Sequence, residues 1–143
     1  MDNKPILNEG AISPGLIAEY IEKVSVDKTS GAHSLFLGQV RDDTVNDRKV
    51  EAIEYSAYTE MVEKEAGNIR ETVKAAFNDV KDIIIIHSTG IVRAGELSLF
   101  VLVSAGHRDQ ATRACRHVVE MIKDNYPVWK KELFDDDSHR WQQ

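Results

Sequence analysis

Arg41, His107, Arg108, Lys123 and Lys130 are the residues of this chain that could do chemistry together. That chemistry would be the holding of anions. A guanidinium offers a fork of N–H donors that fits a phosphate or a carboxylate, and an ammonium is a compact positive charge. His107-Arg108 follows an apolar run and precedes an amphipathic stretch, so the free N–H groups of a helix start favour negative charge there. Lys123 and Lys130 flank Pro127 in VVEMIKDNYPVWKKE, residues 118–132. Proline disfavours the helical conformation for Tyr126, so a helix should stop near Asn125. Lys123 then lies in its last turn and Lys130 just past a rigid corner, with Trp129 as an apolar anchor. Arg41 closes an apolar run beyond Gly38. If the cations converge, each disfavours protonation of the others, and one lysine acquires a lowered pKa suited to general acid–base or nucleophilic work. The negative end of the helix dipole attracts the Lys123 ammonium and opposes that effect. Taken singly, every one of these residues has a plainer reading as a surface charge.

The elements that must position them follow from periodicity and turn chemistry. A short edge strand is expected at Pro5–Leu7. Ser13-Pro14 reads as a helix start, and Leu16, Ile17, Tyr20, Ile21 and Val24 recur at helical spacing, predicting a helix over 14–24. Residues 31–41, GAHSLFLGQVR, read as a largely buried strand with a bulge or close approach at Gly38. Residues 42–49 read as a charged loop, and 50–58 as a second strand antiparallel to the first. A long helix begins at Thr59, with Val62, Ala66, Ile69, Val73, Ala76 and Phe77 recurring at three and four residues on its inner face. Val80 to His87 is a strand whose IIII run is too apolar to be half exposed. Turns follow at Thr89-Gly90 and at 93–96, then a strand over 97–104. Asp109 is a candidate cap for the last helix, which carries Ala111, Cys115, Val118 and Ile122 as its stripe. After Pro127 a charged tail is expected, with Phe134 and Trp141 as docking points. Helix, strand pair, helix, strand pair, helix is an α+β pattern, a mixed and mainly antiparallel sheet with packed helices.

Composition narrows the function. The 143 residues suit a single domain, 1–143. A net charge of −6 argues against general nucleic-acid binding, yet makes a local basic pocket stand out. One cysteine, Cys115, cannot build a disulfide framework or a Cys-based metal site, which fits a cytoplasmic setting. Cys115 itself reads as a core residue. The opening MDNKPILNEG lacks the basic start and apolar core of a secretory signal, and no apolar run reaches membrane-spanning length. His33, His87, His117 and His139 show no paired metal spacing and read as structural or surface residues. No metal or cofactor is expected. Nucleotide-binding glycine motifs and the serine-hydrolase motif are missing.

Several of these segments, in this order, resemble the large, catalytic subunit of molybdopterin synthase. They are FLGQVR at 36–41, IEYSAYTEM at 53–61, the strand ending in His87 with Gly90 after it, AGE at 94–96, SAGHR at 104–108, and IKDNYPVWKKE at 122–132 followed by Arg140-Trp141. The resemblance spans roughly residues 5–141. It implies an α/β-hammerhead fold. It also implies a sulfurtransferase that turns cyclic pyranopterin monophosphate into molybdopterin, by installing the two dithiolene sulfurs. The sulfur would come from a small ubiquitin-like partner as a thiocarboxylate on its C-terminal glycine, and the subunits would form a homodimer within a heterotetramer. Gln39, Val40 and Arg41 match the substrate-contacting turn. His107 and Arg108 match a pair expected to hold the pterin phosphate, if need be across the dimer interface. Lys123 and Lys130 match two pocket lysines, with Lys131 and Glu132 beside them. Lys123 is the expected main catalytic residue, and Lys130 would bind and orient both partners. Ser88 and Ser56 depart from the family's usual residues. A non-catalytic module for a phosphorylated ligand or a protein tail would need the same cations without turnover, and a purely structural subunit would need none.

Overall fold

The apolar run at 83–86 becomes the centre of the fold. In the computed structural model, which describes residues 6–142, the chain runs β1 (Leu7–Glu9), α1 (Pro14–Val24), β2 (Ala32–Gln39), β3 (Thr44–Val45), β4 (Arg48–Ala57) and α2 (Thr59–Ala76). It continues β5 (Val80–Arg93), β6 (Leu97–Ala105), α3 (Arg108–Asn125), β7 (Val128–Phe134) and β8 (His139–Trp141). Ile83 to Ile86 lie in β5 and are shielded on both faces. Ile83 and Ile85 join Val101, Val103, Val118 and Ile122 beneath α3, while Ile84 and Ile86 join Ile17, Tyr20, Phe100 and Leu102 beneath α1. A strand covered on both sides has no use for alternation, which is why the run is uniformly apolar.

The sheet order is β2-β6-β5-β4-β7-β8, with β1 parallel to β5 and β3 paired to β4. All other pairings are antiparallel. The mixed, mainly antiparallel α+β expectation holds. The helices fall where periodicity places them. Ser13 Oγ accepts from the Leu16 N–H at the start of α1, and α3 ends at Asn125 with Tyr126 extended at ψ 126°.

Other expectations change. The second strand does not pair with the first: β4 bonds to β5 and β7, because residues 40–47 carry the chain from one part of the sheet to another. β2 is an edge strand rather than a buried one, so Leu35 and Leu37 stand 38% and 43% exposed. The charged loop at 42–49 contains a hairpin, closed by Asn46 and Asp47 at φ 52° and 63°, conformations those two residue types tolerate. Thr89-Gly90 is not a turn. Gly90, at φ 76°, lets β5 continue while it changes partners from β6 to β4. His107 rather than Asp109 stands at the N-cap of α3, and Asp109 pairs with Arg113 one turn on. The segment after Pro127 is two strands, β7 and β8, with the three aspartates 135–137 between them. The first strand lies at Leu7–Glu9, and Pro5 falls outside the described residues.

Gly31 precedes β2 where the backbone turns against Gly106, and a Cβ there would stand 2.2 Å from the Gly106 carbonyl oxygen. The Gly31→Ala variant is expected to lose about 1–3 kcal/mol, because the obstacle is backbone and cannot step aside. Thermal unfolding would register this, and an unchanged midpoint would refute it.

Candidate active site

β2, β4, β5, β6, α3 and β7 converge on one cleft of about 260 Å³. The end of β2 brings Gly38 and Gln39, and the loop after it brings Val40 and Arg41. The pairing of β2 with β6 slips between Gly38 and Gln39, and a Cβ on Gly38 would meet Leu99 Cβ at 3.1 Å. Glycine there allows the close approach that turns the strand end toward the cleft. β4 supplies Tyr55, whose hydroxyl donates to Ser98 Oγ at 3.0 Å. The C-terminal turn of α3 supplies Lys123. β7 supplies Lys130 and Glu132, opposite Tyr55 and Ile53 in register.

A smaller chamber of about 70 Å³ adjoins this cleft and shares His87, Leu99, Lys123 and Lys130 with it. Both lysines therefore face one space, as the corner at Pro127 predicts. Burial, then the charge of Lys123, lowers the pKa of Lys130. Arg41 stands at the mouth with its side chain 80% exposed and its Nε 3.3 Å from Asp43 Oδ1. Glu132 is buried, and its Oε1 accepts from Arg140 Nη2 at 2.6 Å and Nε at 2.9 Å. That pair ties β8 to β7 and offsets the negative charge beside the lysines.

Lys131 does not reach the cleft. Alternation along β7 turns it to the opposite face, where its Nζ lies 3.3 Å from Glu54 Oε1 and 5.2 Å from the centre of the Trp141 ring. On that face Tyr58, Trp129 and Trp141 line an open aromatic cleft of about 390 Å³. His107 and Arg108 do not line the lysine cleft of their own chain either. They start α3 and Lys123 ends it, about 22 Å apart along the axis at 1.5 Å per residue. Asp79 already serves that helix start: its Oδ2 accepts from the His107 backbone N–H at 2.8 Å and lies 3.2 Å from His107 Nδ1.

His87, which the sequence suggests is structural or on the surface, lies 5% exposed on the floor of the cleft. Tyr55 meets its ring edge-on at 5.1 Å and Tyr126 flanks it at 6.3 Å. Its Nδ1 is 2.8 Å from the Ser88 carbonyl oxygen, which can only accept, so Nδ1 carries the proton. Burial first, then the charges of Lys130 and Lys123, lower its pKa from 6.5 to about 4. The folded state holds this ring neutral while the unfolded chain protonates it. The stability it contributes is full above about pH 6.5 and is lost as pH falls toward 4, up to about 3 kcal/mol. The His87→Phe variant is expected to lose less stability than the wild type between those pH values. Denaturant midpoints measured across that range would check it, and parallel slopes would refute it.

His87 and Tyr55 lie in segments that carry the family resemblance, but nothing in the sequence marks them or Ser98 as cleft residues. Only the polar histidine ending an apolar strand was a visible signal for the first.

Among the described residues no group of three or more His, Cys, Asp or Glu side chains could hold a metal ion. No helix among them is long and apolar enough to cross a membrane. What the cleft can do is hold anions against two ammonium groups, one of which gives up its proton more readily than usual.

The chain also matches known proteins in sequence and in fold. The family model described as MoaE protein matches residues 11–125. A molybdopterin synthase catalytic subunit from Dictyostelium discoideum is 39% identical over 124 residues, 85% of this chain and 78% of that protein. One from Pyrococcus abyssi is 42% identical over 120 residues, 84% of this chain and 79% of that one. Other relatives are longer, and the chain spans 33% of one from Drosophila grimshawi and 61% of one from rice. The crystal structure of molybdopterin synthase from Staphylococcus aureus superposes with a TM-score of 0.85 at 29% identity, covering 96% of each chain.

Proposed function

The chain belongs to the MoaE family, and on that premise we propose that it is the catalytic subunit of a molybdopterin synthase. It transfers sulfur from a thiocarboxylated small subunit to cyclic pyranopterin monophosphate, forming the dithiolene of molybdopterin for molybdenum cofactor biosynthesis. The observation that carries this reading is the convergence of Arg41, Lys123 and Lys130 on one cleft in a chain of net charge −6. A phosphate-bearing substrate and an anionic tail repel each other, and cations at their meeting point remove that barrier.

When a thiocarboxylate gives up its sulfur, water must take the acyl carbon, and negative charge develops on the acyl oxygen. Lys123 stabilises that charge and is the main catalytic residue. Lys130 orients both anions, and its lowered pKa suits it to pass a proton to or from the reacting groups. Gln39, Val40 and Arg41 contact substrate at the mouth. Glu132 holds Arg140 and the β7–β8 pair in place. Lys131 acts outside the cleft, on the aromatic face. That face, with Tyr58, Trp129 and Trp141 exposed, offers the large rigid anchors on which protein partners dock.

His107 and Arg108 join the site from a second copy. β2 is an unpaired edge that exposes Leu35 and Leu37, and such edges recruit partners. His107 lies near the start of β2, because Ala32 pairs with Ala105, and the cleft lies at the end of β2, about 26 Å away for eight residues. A two-fold-related copy packed antiparallel along this edge sets each His107-Arg108 beside the other's cleft, where the pair holds the pterin phosphate. The active unit is then a homodimer with a small subunit on each copy. The described residues form one domain, and the setting is cytoplasmic.

The test is reconstitution with the thiocarboxylated small subunit and cyclic pyranopterin monophosphate, read as dithiolene formation. A non-catalytic binding module would take up the pterin phosphate and yield no product.

A further inference from the structure

The cleft is not uniform from mouth to floor. Arg41 stands exposed at the mouth and the two lysines reach from the cleft to the chamber beside His87, and all three side chains only donate hydrogen bonds. At the floor stands His87, between the rings of Tyr55 and Tyr126. The Ser88 carbonyl at 2.8 Å takes the proton of its Nδ1, so the neutral ring has one tautomer and the Nε2 lone pair is left as an acceptor. Among the described residues no donor is hydrogen-bonded to Nε2. Tyr55 is hydrogen-bonded to Ser98 and Glu132 to Arg140, while the buried Tyr126 hydroxyl has no partner among the described residues.

We propose that His87 is a specificity-determining residue, whose Nε2 accepts a hydrogen bond from a ring N–H of the bound pterin while the cations hold its phosphate. This rests on the molybdopterin synthase reading and adds to it the group that recognises the heterocycle. The Nε2 lone pair favours a ring edge that carries an N–H donor, and the apolar side chains beside it suit a flat ring. Beside His87 the chamber is lined by Leu99, Ile122, Tyr126 and Val128 as well as by Lys123 and Lys130, and a pterin is planar with several N–H donors. The neutrality of the ring keeps it an acceptor at neutral pH, although two lysines stand near. The phosphodiester of the cyclic monophosphate has no proton to give this nitrogen at neutral pH, so the same residue disfavours the substrate bound the wrong way round.

Calorimetric binding of cyclic pyranopterin monophosphate and of inorganic phosphate, to the wild type and to H87F and H87Q, tests the proposal. The carboxamide oxygen of glutamine reaches the place of Nε2, and phenylalanine keeps the volume without the lone pair. H87F is expected to bind the pterin phosphate roughly tenfold more weakly and inorganic phosphate unchanged, with most of the loss recovered in H87Q. Nitrogen NMR of the wild type should show Nδ1 protonated and Nε2 bare, with the Nε2 signal moving on addition of pterin phosphate and not of inorganic phosphate. Equal losses in H87F and H87Q, losses for both ligands alike, or an unmoved Nε2 signal would overturn it. If the wild type itself fails to bind the pterin phosphate, the function proposed above falls instead.

Discussion

Lys123→Ala is expected to lower the rate of dithiolene formation by about 10²- to 10⁴-fold, the usual contribution of a positioned acid–base or charge-stabilising group. The fold should survive. Lys123 is exposed in the last turn of α3, so its loss should change stability by no more than about 0.5 kcal/mol. The two readouts separate chemistry from folding: single-turnover product formation against thermal unfolding of the same preparation. A second effect follows from the cleft's electrostatics. Removing the Lys123 charge removes one of the two causes that lower the Lys130 pKa, burial being the larger. The Lys130 pKa therefore rises in the variant. Any residual activity that needs neutral Lys130 should move its pH optimum toward the alkaline side. A Lys123→Ala enzyme with wild-type turnover would end the assignment of Lys123 as the main catalytic residue.

Mixed dimers supply the second large effect. Arg108→Ala and Lys123→Ala homodimers should both be close to inactive, because each lacks half of every site. Combined in equal amounts and allowed to exchange subunits, they should regain roughly a quarter of wild-type activity. Half of the dimers are then mixed, and each mixed dimer has one site with both residues intact. Within one chain Arg108 starts α3 and Lys123 ends it, so the proposed pairing of the two needs a second copy. No recovery on mixing, in dimers shown by mass to be hybrid, would mean that Arg108 serves its own chain or nothing at all. The His107→Ala variant should behave as Arg108→Ala does. Part of any loss there would come from Asp79, which gives up its contact with the imidazole Nδ1.

The local elements were legible because each has a local cause. Ser13-Pro14 starts α1, Pro127 stops α3 at Asn125, and the periodicity of Val62, Ala66, Ile69 and Val73 marks the buried face of α2. β7 was not legible. Lys130 and Glu132 line the cleft on one of its faces, while Trp129 and Lys131 occupy the other, so neither face reads as apolar and the alternation is hidden. β2 was mistaken for a buried strand because FLG and its neighbours are apolar on both faces, and exposure at a sheet edge depends on which strand lies beside it. Thr89-Gly90 carried the residue types of a turn, yet the same positive φ serves a strand that changes partners.

The amino-acid sequence by itself determined the helices, the centre of the sheet, the family and the basic set Arg41, His107, Arg108, Lys123 and Lys130. Those follow from short-range steric rules, burial periodicity and residue identity, which act along the chain. The tertiary structure alone decided that Arg41, Lys123 and Lys130 share a cleft, and that Lys131 turns away. It also placed His87 at the floor, with its proton committed to Ser88 and its pKa lowered by burial and the lysines. Which side chains meet depends on strand order, register and the length of a helix, and desolvation depends on what is packed around a group. Neither quantity is written in the types of neighbouring residues.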